Sequence, residues 1–192
     1  CLNKNISVED VISDLQLSVK EEKLLVDFQK MPLNELVDYI FQKHHTFIYK
    51  NARPTAEFIK KVSSVHGEKY PETIEISKLY MELMDELHQH MMKEERILFP
   101  YIKQMVQQPI DNGRFINGPI SVMMTEHDQA GVILKKMNKL SNNHQAPSDA
   151  CNTFKAAYAN IKSMEKDIYL HIHLENNILF PKALKLEERL TK

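Results

Sequence analysis

Residues 90–100 and 171–181 carry one block twice. His90-Met91-Met92-Lys93-Glu94-Glu95-Arg96-Ile97-Leu98-Phe99-Pro100 and His171-Ile172-His173-Leu174-Glu175-Asn176-Asn177-Ile178-Leu179-Phe180-Pro181 both read H-x-x-x-E-x-x-I-L-F-P. A His four residues before a Glu lies one turn away on the same helical face. A further histidine precedes each copy at nearly the same interval, His45 before His90 and His127 before His171. The chain therefore reads as two similar halves. Each offers one His from a first helix and a His-Glu pair from a second.

The blocks sit inside apolar stripes at helical spacing. One runs Ile76, Tyr80, Leu83, Leu87, His90, Glu94, Ile97, Tyr101; another runs Ala157, Ile161, Met164, Ile168, His171, Glu175, Ile178. A third is Ile116, Ile120, Met123, His127, Ala130, Leu134, Met137. Residues on such a stripe face neighbouring helices rather than water. In the first helix two stripes fit: Val37, Phe41, His44, Ile48, or Phe41, His45, Ile48. Periodicity allows either histidine, and the half-repeat interval prefers His45.

Four helices are expected. The first opens at Asn34 as N-cap, runs to about Asn51, breaks or kinks at Arg53-Pro54 and continues over Thr55 to Val65, ending at His66-Gly67. The second comes after Tyr70-Pro71 and reaches about Gln107, with a kink or break at Pro100. After an Asp111-Asn112-Gly113 turn, the third runs from Gly118-Pro119 to Leu140. A polar loop over Ser141 to Ser148 leads to the fourth, from Asp149 to about Leu190 and interrupted by Pro181. Only 4 glycines in 192 residues also favour helices over a turn-rich β fold. The expected fold is all-α, an up-down-up-down four-helix bundle over 33–192. Residues 1–32 form a short helical N-terminal segment, with Ser7 and Asp10 as a capping box.

A net charge of −1 provides no field for nucleic acid or an anionic membrane, and no apolar run reaches membrane-spanning length. Two cysteines, Cys1 and Cys151, make no disulfide framework, so a reducing, cytoplasmic setting is expected. A chain beginning at Cys1 rather than Met suggests a truncated or processed form, with a lipidated Cys as the lesser alternative. Cys151 reads as structural rather than reactive.

Two His-Glu pairs aimed into one core need positive charge between them, because an unpartnered buried carboxylate is too costly to leave ionised. A metal supplies that charge and takes imidazole nitrogen and carboxylate oxygen together. Any one of these histidines alone would read as a hydrogen-bonded core residue. Four of them with two in-phase glutamates read as a centre of two metals bridged by carboxylates; a single metal could use all six only if octahedral. His44, His66, His88, His144 and His173 read as ordinary, with His44 or His173 as the alternative outer supports. Glu95, Glu126 and Asp128 read as solvent-facing, with Glu126 or Asp128 as the alternative orienters of a ligand histidine. Met91, Met92, Met123 and Met124 read as packing, with lining for gas access as the lesser alternative.

The sequence resembles the haemerythrin-like metal-binding proteins, and more closely the RIC (repair of iron centres) family of di-iron proteins. The resemblance rests on Asp38-Tyr39-Ile40 before His44-His45, Val65-His66-Gly67, the paired blocks, and Glu126-His127-Asp128. It implies the metal ligands His45, His90, Glu94, His127, His171 and Glu175, holding two Fe ions as an oxo- and carboxylate-bridged pair. It also implies repair of iron–sulfur clusters damaged by nitrosative or oxidative stress. The partners would then be damaged iron–sulfur proteins and a small gas, nitric oxide or oxygen, and reductase-like nitric oxide chemistry is a further implication. Residues 1–32 would be the remnant of a small Cys-containing domain. A haemerythrin-type oxygen carrier or sensor, or a metal store, is the alternative. Against carriage stands Gly131, where haemerythrins place a second His one turn after the His127 position. Zinc could compete for such donors in vitro.

Overall fold

The computed structural model describes residues 26–107 and 116–190. The segment expected over 1–32 therefore lies mostly outside the described residues, as does the Asp111-Asn112-Gly113 turn. Ahead of the bundle, residues 28–30 make a turn closed by the Lys30–Asp27 ion pair. From Leu33 onward every long element is helical, and there is no strand among the described residues.

Helix α1 comprises Leu33–Ile40, a π turn over Phe41–His45, and Thr46–His66. Helix α2 comprises Glu72–Lys93, a π turn over Glu94–Leu98, and Phe99–Gln107. Helix α3 is Asn117–Leu140. Helix α4 comprises Asn152–Leu174, a π turn over Glu175–Leu179, and Phe180–Leu190. These are the four helices of an all-α bundle, in which α1 packs against α2 and α4, and α2 against α3.

The sequence-based boundaries shift in places. The first helix starts at Leu33 with Pro32 as its cap, so Asn34 lies inside it. The fourth starts at Asn152 rather than Asp149, and Cys151 caps it in an extended conformation. Pro54 does not break α1, which runs through it. Its lost hydrogen bond is one in a long helix anchored by buried Ile48, Ile59 and Val62, and burying one such side chain is worth roughly 1.5–3 kcal/mol. Pro100 and Pro181 cause no break either. Each stands one residue beyond a π turn, after a Phe whose N–H bonds the carbonyl of Glu94 or Glu175.

Two corners are specified by local chemistry. At Gly67, between α1 and α2, a Cβ would sit 2.4 Å from the Ser63 carbonyl, so glycine is required. Between α3 and α4, Asn142, Asn143 and His144 all take positive φ (47°, 60° and 58°), which Asn tolerates better than most residues. Ser141 Oγ and the Glu165 carboxylate hold His144 there, buried.

Candidate metal centre

All six residues singled out by the repeat meet at one place. His45, Glu94, His171 and Glu175 form one group, and His90, Glu94, His127 and Glu175 another. Within each group the candidate ligand atoms lie within 4.8 Å of one another. All six side chains are 0–3% exposed. Both carboxylates belong to both groups. Each group joins a histidine from one half of the chain to one from the other, His45 with His171 and His90 with His127, so the repeat is interleaved rather than stacked half on half.

The π turns deliver these side chains. His45 closes the first, while Glu94 and Glu175 open the other two. Helix α3 has no such turn and carries His127 on a regular stripe. The Phe of each I-L-F-P block stacks on the first-helix histidine of its own half. Phe99 lies 5.4 Å from His45 and Phe180 lies 6.1 Å from His127, ring centre to ring centre.

Three imidazoles are fixed from behind. His45 Nδ1–H donates to Glu95 (2.8 Å), His90 Nδ1–H to Glu126 (2.8 Å) and His127 Nδ1–H to the Asn176 side-chain oxygen (2.8 Å). A neutral imidazole that donates through Nδ1 presents a lone pair at Nε2. The Nε2 atoms converge in pairs, His127 with His90 at 3.0 Å and His45 with His171 at 3.3 Å. Glu94 oxygens lie 3.3 Å from His90 Nε2 and 3.4 Å from His45 Nε2. Glu175 Oε2 lies 3.0 Å from His171 Nε2 and 3.1 Å from His127 Nε2. Despite this proximity, all four Glu94 and Glu175 oxygens lack a hydrogen bond of acceptable geometry among the described residues. Lone pairs facing lone pairs in a buried space repel unless a cation lies among them, and imidazole with carboxylate is a donor set for divalent and trivalent first-row metals. The residues present fit a metal centre.

Protonation is governed by the same electrostatics. Burial opposes a charged His90, but Glu94, Glu175 and Glu126 outweigh it and push it up to about 9. His45 is likewise raised by Glu94 and Glu175 against burial. Burial works against ionised Glu94 and Glu175, yet the surrounding histidines hold Glu94 below, and Glu175 well below, the usual carboxylate range. Without a cation the cluster keeps protons as its positive charge, and metal binding must displace them.

Several outer residues depart from the sequence reading. Glu95 does not simply face solvent but supports His45, and Glu126 takes the alternative role weighed for it, orienting His90. Asn176 was not anticipated. Its signal was its place immediately after Glu175, matching Glu95 after Glu94. His44 is buried, hydrogen-bonded to Asp167 (3.1 Å) and stacked parallel to His171. His66 lies 3.3 Å from the exposed Cys151 Sγ, His88 packs on Tyr49, and His173 bonds Asn177. Met91 and Met123 are buried whereas Met124 is 43% exposed. A side chain at Gly131 would start in open space; the inward residues after His127 are Ala130 and Leu134. A cleft of about 140 Å³ reaches His90 and His127 between Glu86, Lys93 and Glu126. A wider one of about 530 Å³, bounded by Arg96, Tyr101 and Gln104, contains none of the six.

A helical bundle whose core holds buried imidazoles and carboxylates in two overlapping groups is a cation-binding bundle of haemerythrin type. The family model described as Hemerythrin HHE cation binding domain matches residues 39–183. The iron-sulfur cluster repair protein YtfE of Musicola paradisiaca (strain Ech703) is 39% identical over 180 residues, covering 94% of this chain and 77% of its own. Its namesake in Escherichia coli O81 (strain ED1a) is 40% identical over 178 residues, covering 91% and 77%. That of Citrobacter koseri (strain ATCC BAA-895 / CDC 4225-83 / SGSC4696) is 39% identical over 184 residues, covering 94% and 79%. The chain belongs to the haemerythrin-like family, in the RIC group it resembles.

Proposed function

We propose that this protein holds two iron ions, one on His45 and His171 and one on His90 and His127, bridged by Glu94 and Glu175. We propose further that it serves the repair of iron–sulfur clusters damaged by nitrosative or oxidative stress. The observation that carries the reading is the sharing of both carboxylates by both four-residue groups, which suits a bridged pair better than a lone ion. The relatives' names support the physiological role. Residues 33–192 are the working unit in this reading, with 1–32 as a separate segment.

Such an iron pair supplies one-electron redox chemistry and binding of a small ligand, nitric oxide in this proposal. The chain's own residues hold the imidazole rings in place through Glu95, Glu126 and Asn176. Apolar packing around the rings excludes bulk water. The cleft beside His90 and His127 encloses about 140 Å³, more than a diatomic molecule occupies. The proposed setting is the cytoplasm, and no helix among the described residues is long and apolar enough to cross a membrane.

The test is metal analysis of protein purified without added metal, followed by a repair assay. Two irons per chain with a visible oxo-bridge band are expected, and the iron-loaded protein should restore activity to a nitric-oxide-damaged [4Fe–4S] enzyme. One zinc without colour defeats the di-iron assignment. A stable oxygen-dependent band that reverses on degassing, without repair, would favour oxygen carriage.

A further inference from the structure

The position immediately after each core glutamate differs between the halves. Glu95 succeeds Glu94, and Asn176 succeeds Glu175. Each reaches back to the first-helix histidine of its own half, and both contacts to Nδ1 measure 2.8 Å. The repeat thus puts a carboxylate behind His45 and a neutral amide behind His127 in otherwise matching places.

The remaining contacts do not cancel this difference. Glu126, behind His90, is ion-paired with Lys93, so its charge is shared with an ammonium. The other partner of Glu95 is the neutral phenol of Tyr49, whose hydroxyl donates to the same oxygen at 3.0 Å. The fourth histidine, His171, has no hydrogen-bond partner on its buried Nδ1 among the described residues. It lies against the His44 ring instead, 5.9 Å between centres and 9° from parallel. A carboxylate on the far nitrogen of a ligating imidazole makes that imidazole the more basic donor, and an amide oxygen does so far less.

We infer that Glu95 is a positioning residue that also polarises His45, making the two cation positions electronically unequal. The position shared by His45 and His171 is the electron-rich one. Were iron bound at both positions and reduced by an external one-electron donor, the iron held by His90 and His127 would be the more readily reduced. This rests on the di-iron reading above.

The experiment is stepwise reductive titration of the iron-loaded full chain with dithionite and mediator dyes, one electron per iron, reading both potentials and the Mössbauer signature of the first-reduced iron. Iron content is measured on every sample first. Glu95→Gln keeps an oxygen acceptor but loses the charge, and should move the potentials positive. Asn176→Asp adds a charge behind His127 and should move them negative. Tyr49→Phe removes the donor that draws on Glu95 and should also move them negative. If Glu95→Gln fails to retain iron, the signs from the other two variants decide. Unchanged potentials in variants holding two irons overturn the inference and leave the di-iron reading intact. Fewer than two irons in the unaltered protein overturns that reading and this inference with it.

Discussion

Glu175 concentrates what is unusual in this core. Its side chain is fully buried, two imidazole nitrogens approach one oxygen, and neither oxygen is hydrogen-bonded. A buried carboxylate set among imidazoles adds little net stability as a group, but removing one member leaves its partners uncompensated, at a cost of about 3–5 kcal/mol. Glu175→Leu or Glu94→Leu should abolish the two-metal stoichiometry while circular dichroism stays fully helical. The metal-free variants should melt below the metal-free parent, because the remaining imidazoles lose their counter-charge. Retention of the full metal content by both variants would remove the bridging role from these carboxylates. Five of the six inward residues were legible from polar side chains in phase with apolar neighbours, and His45 was distinguished from His44 only by the half-repeat interval. Of the supports, Glu126 is open to sequence reading as an alternative orienter, whereas Glu95 and Asn176 are not. Glu95 and Asn176 adjoin inward residues, where simple helical spacing points a side chain away from the core, and only the contacts with His45 and His127 show otherwise.

The elements explain that failure. A π turn accommodates one residue more than a regular turn and rotates the rest of the helix about its axis. The stripe expected through Ile97 and Tyr101 passes instead through Leu98 and Ile102, leaving Ile97 63% exposed. Phe41, placed on both candidate stripes of the first helix, is 43% exposed because it opens the π turn ending at His45. Where no π turn intervenes, the reading holds: every position of the α3 stripe, from Ile116 to Met137, is buried. The extra residue is what lets one turn aim Glu94 at the centre and Glu95 at His45, consistent with π turns concentrating at functional sites. Deleting the exposed Arg96 should restore regular spacing. Helix content should then change little, but metal retention should fall, because Glu95 no longer reaches His45. Chelator competition on the deletion variant, beside its circular dichroism, measures both. Unaltered retention would make the π turn incidental to the site.

Across the whole bundle, the centre divides the apolar interior. On one side lies the main cluster, built from residues such as Ile48, Tyr80, Leu83, Leu134, Phe154 and Ile161. Beyond the centre lie Leu36, Ile40, Leu98, Ile102, Leu179 and Ala183, buried yet outside that cluster. The two cation groups together draw on all four helices, so bound metal ties the halves of the interior where apolar packing is interrupted. A ligand present at 1,000 times its Kd stabilises the folded state by about 4.1 kcal/mol, and at roughly 2–4 °C per kcal/mol for a chain of this size the melting temperature should fall by about 8–16 °C on chelation. The loss should not be uniform. With the metal gone, the far end is held by its smaller apolar layer and by surface links such as Lys103–Asp38, so amides in Leu33–Ile40 and Phe180–Leu190 should lose protection first. Those flanking Tyr80 and Phe154 should keep theirs. Hydrogen exchange on metal-loaded and chelated protein distinguishes the cases. Equal loss at both ends would mean the bundle opens as a single unit, and that the centre is not the seam between two differently stabilised layers.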